Sequence, residues 1–237
     1  MIPIRDDIPS STKPIVVRTL VGVNIIVFLF ELLLMGSGQI EPFFNTFAVI
    51  PARESYSFIA LLQGNVIALP LLLMPIFIAM FLHGGLLHIA GNMLFLWVFG
   101  DNVEDIMGHR RFLAFYLLCG IAATAAQIAL DPSSEVPNIG ASGAIAGVLG
   151  GYLVNFPKAR VEAILPLGFI WLPLQIPAMF YLIWWFVQQT FYGVASIGVP
   201  ASMGEGGVAF WAHIGGFVAG VIFVKLFATQ RSPQALF

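Results

Sequence analysis

Few residues in this chain have the type and spacing to do chemistry. Ser142 stands between glycines in Gly140-Ala141-Ser142-Gly143, at the head of an apolar run with no charged residue before Lys158. A serine hydroxyl in such a place can act as a nucleophile, but it needs a base to take its proton and donors to hold the oxyanion that forms. The same stretch also reads as packing. Gly143, Gly147 and Gly151 recur every four residues, a spacing that lets helix backbones approach closely inside a bilayer.

The chain has four histidines from which a base could come. His213 shares a helix face with Gly216 and Gly220. That face can pack on the glycine stripe after Ser142 and bring a ring nitrogen of His213 to the serine hydroxyl; the alternative is a histidine merely hydrogen-bonded between helices. His88 and Asn92 are four apart and so on one face, where two neutral donors suit an oxyanion hole. His83 precedes Gly84-Gly85 and lies about 140° round a helix from His88. No histidine pair has the one-face spacing of a helical zinc motif, so no metal is expected. His109, beside Arg110 and Arg111, reads as solvated. The single cysteine, Cys119, excludes an internal disulfide and a multi-thiolate metal site, and its apolar surroundings suit packing better than a catalytic thiol.

The elements that must position these residues are set by composition. The chain has 237 residues, 59% hydrophobic and 9% charged, with a mean hydropathy of +0.94. Such a chain is a polytopic membrane protein, and the expected fold is all-α with six spans and a partly embedded first outer loop. A net charge of −2 without a basic run gives no footprint for nucleic acid. Residues 1–14 form a short polar lead and 228–237 a tail. The membrane domain, 15–227, has spans expected at 15–35, 86–99, 112–130, 141–156, 178–192 and 208–227. Glu31, near the far end of the first span, is expected to snorkel to the interface. Residues 66–82, interrupted by Pro70 and Pro75, read as embedded or re-entrant. Residues 164–192 are too long for one straight span and are broken by Pro166, Pro173 and Pro177; the first part is expected at the interface.

Charge orients the spans. With both termini cytoplasmic, Arg5, Lys13, Arg18, Arg110, Arg111, Lys158, Arg160, Lys225 and Arg231 lie inside, and Arg53 alone lies outside. The second, fourth and sixth spans then all start at the outer face. His88, Asn92, Ser142 and His213 fall within about 10 Å of their helix starts and share one depth. Ionisable residues inside spans mark functional sites.

Gly140-Ala141-Ser142-Gly143, Ala212-His213 with Gly216 and Gly220, and the spacing of His83, His88 and Asn92 together resemble the rhomboid intramembrane serine proteases. The motifs occur in the right order on the second, fourth and sixth spans. The resemblance implies cleavage of transmembrane protein substrates within the lipid bilayer, with no cofactor, in a multi-pass protein of a prokaryotic inner membrane. It makes Ser142 the nucleophile and His213 the general base, later the acid. His88, Asn92 and the backbone N–H of Ser142 would form the oxyanion hole, His83 would support the loop after the first span, and Glu104 matches a structural acidic position at the inner end of the second. Relatives of the fold also include non-catalytic proteins that bind transmembrane clients, which is the alternative function.

The chain departs from the family pattern in two places. Ala146 stands where some members carry an aromatic ring that stacks on the histidine, so a water or a backbone carbonyl is expected to orient His213 instead. The tryptophan-arginine pair of some members is missing from the first outer loop. No acid lies beside His213 in the sixth span, which predicts a dyad and not a triad. Residues 193–207, rich in glycine, are expected to cap the site, the alternative being an ordinary solvated loop. The resemblance implies that the aromatic fifth span, with Trp184 and Trp185, gates lateral access; the residues themselves read equally as lipid-facing packing or interface anchors.

Overall fold

Long apolar runs fold as helices in a membrane because a helix satisfies its own backbone hydrogen bonds there. The computed structural model describes residues 1–196 and 209–229. In chain order it contains β1 (Ile2–Asp6), α1 (Ile15–Gly36), α2 (Ile40–Phe47), α3 (Pro51–Leu62), α4 (Ala68–Ala79), α5 (Leu86–Met107), α6 (His109–Leu130), α7 (Ser142–Asn155), β2 (Arg160–Leu167), β3 (Ile170–Pro177), α8 (Ala178–Ala195) and α9 (Phe210–Phe227).

The protein is mostly helical, but it is not all-α. β1, β2 and β3 form a three-stranded antiparallel sheet. β2 and β3 are a hairpin paired from Arg160↔Pro177 to Leu167↔Ile170, turning at Gly168, whose φ of +62° favours glycine. β1 joins the root of that hairpin, from Ile2↔Ile164 to Asp6↔Val161. The prolines that break a helical reading of 164–177 are therefore hairpin residues, and the polar lead is an edge strand.

Among the described residues, α1, α5, α6 and α9 are long and apolar enough to cross a membrane, while α4 and α7 are shorter apolar helices. This measure gives four spans where six are expected. α7 has 14 residues, roughly 21 Å at 1.5 Å per residue, against about 30 Å of hydrocarbon. Every residue from Gly143 to Tyr152 is buried, so protein neighbours and not lipid surround it. α5 continues past the expected end at Phe99 to Met107, and at Gly100 it meets α1 closely: a side-chain carbon there would lie 2.9 Å from Val17 Cγ2.

One end of the bundle is tied by acidic side chains. Glu104 accepts hydrogen bonds from the Val16 and Val17 N–H groups at 2.9 and 2.8 Å, satisfying orphan donors in the first turn of α1. His109 Nδ1 lies 2.5 Å from Glu104 Oε1, so His109 is partnered and not simply solvated. Asp105 accepts from Ser11 and Thr12, and the Tyr152 hydroxyl donates to Asp6. Glu31 does not snorkel. It is buried, and its two oxygens accept the His83 N–H at 3.0 and 3.2 Å, because a buried loop amide must find an acceptor.

The glycine stripes meet as their spacing suggests. A side-chain carbon on Gly216 would collide with the Gly143 carbonyl oxygen, and one on Gly220 with that of Gly147. α9 therefore lies directly on α7, backbone to backbone. Cys119 is buried and packs against Gly147.

Candidate active site

α7 begins at Ser142 itself, so the serine sits where helix N–H groups are unpaired and the dipole favours negative charge. The chain reaches it through Gly140, whose φ is +127°. A side chain at Gly140 would also stand 2.8 Å from His88 Nε2, so both the turn and the space require glycine there.

The close approach of α9 brings His213 Nε2 to 2.8 Å from Ser142 Oγ. On the other side of the ring, His213 Nδ1 lies 2.7 Å from Gln189 Oε1 on α8. An amide oxygen can only accept, so Nδ1 carries the proton and the Nε2 lone pair faces the serine O–H. The Trp185 ring lies beside the imidazole, with centroids 5.9 Å apart and planes at 37°. A side-chain amide and an indole from α8 thus hold His213, where a water or backbone carbonyl was expected. Ala146 is buried.

Neither Gln189 nor Trp185 was singled out as a positioning group in the sequence. Their signal is there: Gln188-Gln189-Thr190 is the polar tract of an otherwise apolar, aromatic helix, and Trp185 is four residues from Gln189 on the same face. Gln127 of α6 was missed too. It is buried, and its Oε1 accepts the Ala212 N–H at 3.2 Å in the first turn of α9.

His88 and Asn92 face the same cleft. The Gly84 N–H donates to His88 Nδ1 at 3.4 Å, which leaves Nε2 as the N–H donor on the side of Gly140. Asn92 Nδ2 is buried without a hydrogen-bond partner among the described residues, a costly arrangement unless something else accepts from it. His83 touches the site through His88, with ring centroids 5.1 Å apart in an edge arrangement; its Nδ1 lies 3.3 Å from the Phe81 carbonyl. Glu104 stands apart from this group, at the far end of α5. Gly143, Gly216 and Gly220 act through helix approach.

A cleft of about 870 Å³ opens onto Ser142 and His213, walled by Leu86, Leu87 and Phe95 of α5 on one side and by Trp185 and Gln189 of α8 on the other. Such an arrangement can move a proton from a serine hydroxyl to an imidazole and place donors where a carbonyl oxygen gains charge. Among the described residues no three His, Cys, Asp or Glu side chains gather as metal ligands. The cap expected at 193–207 lies, beyond Ser196, outside the described residues.

Residues 70–230 match the Rhomboid domain family, a stretch that contains every one of these site residues. The chain belongs to the rhomboid family. Its similarity to individual rhomboids is local. It is 34% identical over 92 residues to the mitochondrial presenilin-associated rhomboid-like protein of Bos taurus, covering 38% of this chain and 24% of that one. It is 46% identical over 72 residues to the rhomboid protease GluP of Bacillus subtilis, covering 30% and 14%, and 38% identical over 72 residues to the RHOMBOID-like protein 5 of Arabidopsis thaliana, covering 30% and 23%. The chain thus spans about a quarter or less of the length of these rhomboid relatives. Mitochondrial and bacterial names stand side by side among them, so the similarities do not select the prokaryotic inner membrane expected from the sequence. What they support is a multi-pass membrane rhomboid.

Proposed function

We propose that this rhomboid is an intramembrane serine endopeptidase that hydrolyses a peptide bond of transmembrane substrates with a Ser142-His213 dyad. The observation that carries this reading is the 2.8 Å approach of His213 Nε2 to Ser142 Oγ, with the unpartnered Asn92 Nδ2 in the same cleft. Ser142 Oγ attacks the substrate carbonyl carbon as His213 takes its proton. Gln189 keeps hold of the Nδ1–H of the resulting imidazolium. The oxyanion is held by Asn92 Nδ2–H, His88 Nε2–H and the Ser142 backbone N–H at the start of α7. His213 then gives its proton to the leaving amine, an acyl-enzyme remains, and water activated by the same histidine releases the second product.

In this reading α7 and α8 join the four long helices to make six spans, with α7 shielded from lipid. The N-terminal strand and the end of α9 lie on the side where basic residues gather, and the dyad opens toward the opposite face. Substrates reach it between α5 and α8. A serine-directed fluorophosphonate probe tests the reading against a non-catalytic client binder. The protease reading requires labelling of the intact protein that disappears in Ser142→Ala; an unlabelled wild-type protein in active detergent favours the binder.

A further inference from the structure

The hairpin of β2 and β3 plays no part in the dyad, yet its composition is unusual for a segment outside the bundle. Its eight-residue strands reach roughly 26 Å at about 3.3 Å per residue. Charge is confined to the root, where Arg5 pairs with Glu162 at 2.7 Å. From 163 to 174 the chain has no charged residue, and the Trp171 indole is the one hydrogen-bonding side chain.

From Pro166 to Pro173 these side chains are not packed. Phe169 is fully exposed at 105%, Ile170 at 66% and Trp171 at 61%. Successive strand residues point to opposite faces, so the exposure of Ile170, Trp171 and Leu172 in sequence makes both faces of the tip apolar. A hairpin built to dock on a protein needs one apolar face and keeps the other polar. β1 pairs with β2 only as far as Ile164, so beyond that point both outer edges are open as well.

Two apolar faces and open backbone edges define the surroundings that fit. Hydrocarbon would leave the edge N–H and C=O groups unsatisfied, and water would leave both faces exposed. The boundary between lipid headgroups and acyl chains meets both needs, and it is where tryptophan and phenylalanine accumulate. Pro166 and Pro173 interrupt the edges and disfavour strand addition by another chain. The exposed Arg18, Arg110, Arg111 and Arg160 lie at the same end of the bundle, suited to anionic headgroups. β3 also runs straight into α8 at Pro177–Ala178, whose Met179, Phe180 and Ile183 are exposed, so the apolar surface continues onto the outside of the helices.

We propose that the hairpin tip, residues 167–172, is an interfacial anchor whose partner is the lipid leaflet at which α7 ends and α8 begins. It goes beyond the protease reading and stands whether or not the dyad is active. Because β3 leads into α8, the anchor also fixes the depth from which Trp185 and Gln189 are presented.

The test places a fluorophore at the tip. Phe169→Cys removes no contact, and the native Cys119 is buried and left unlabelled. The full chain, labelled with an environment-sensitive dye, is reconstituted in phosphatidylcholine–phosphatidylglycerol vesicles. The anchor predicts blue-shifted emission relative to the dye on free cysteine, loss of fluorescence with lipids nitroxide-labelled near the headgroup, and protection from aqueous iodide. Iodide quenching as strong as for the free dye, with no lipid quenching, overturns it. So does protection from both quenchers with crosslinking between chains at position 169, which assigns the tip to a second copy.

Discussion

Gln189 Oε1 lies 2.7 Å from His213 Nδ1, on the side of the imidazole opposite Ser142. A neutral amide on α8 therefore fixes the tautomer of a histidine on α9, the task that falls to a carboxylate in a triad. Gln189→Leu removes the acceptor, and a hydrogen bond worth about 0.5–1.5 kcal/mol predicts roughly a two- to thirteenfold slower fluorophosphonate labelling. Gln189→Glu keeps an acceptor and restores most of the rate. A purely structural role for Gln189 predicts instead that the two variants track thermal stability.

Gly216→Ala and Gly220→Ala put a methyl group against carbonyl oxygens of α7 that have no room to move. Each is expected to lower stability by about 1–3 kcal/mol, as overpacking does, and to weaken labelling of Ser142 as α9 is pushed away. Gly22→Ala, with nothing within 4 Å of the new carbon, is expected to be neutral. Unfolding in mixed micelles compares the three.

Glu31 is the acceptor for the buried His83 N–H. Glu31→Leu strands that donor at a cost of about 1–3 kcal/mol, while Glu31→Gln retains one acceptor oxygen and loses less. Hydrogen exchange across residues 81–85 reads the difference, with the leucine variant exchanging faster.

The N-terminal strand carries a pH dependence of its own. Burial raises the Asp6 carboxyl from its ordinary 3.8 to about 6, partly offset by the Tyr152 hydroxyl. A folded-state value above the unfolded one means that the folded form binds the proton more tightly between those limits. The contribution of Asp6 to stability is then greatest at low pH, falls as pH rises from about 4 to about 6, and is flat above. Asp6→Asn should abolish this slope, which protection of β1 amides against exchange at pH 4.5 and 7 would reveal.

The residues legible in the sequence were those whose chemistry is out of place in their own helix. Ser142, His213, His88 and Asn92 are polar groups in apolar helices, and Gly143, Gly147, Gly216 and Gly220 reveal a face by spacing alone. What escaped was whatever depends on a partner far along the chain. Gln189 becomes meaningful only when α8 stands beside α9, and Glu31 gains its partner at His83 only in the folded bundle; His109 reaches Glu104, five residues back, only because the chain turns at Gly108. The sheet was hidden for a similar reason. Ile2–Asp6 pairs with a strand more than 150 residues away, and the apolar hairpin has no alternation to distinguish it from a broken helix.

A Ser142-His213 protease must cut peptide bonds inside a membrane. The direct measurement is cleavage of a panel of tagged single-span proteins co-reconstituted with the purified chain in vesicles, with product masses locating the scissile bond. The expected result is cleavage in or near the membrane-embedded part of at least one substrate, lost in both Ser142→Ala and His213→Ala while the variants remain folded. Undiminished cleavage by either variant, or none by a folded wild-type chain across the panel, would contradict it.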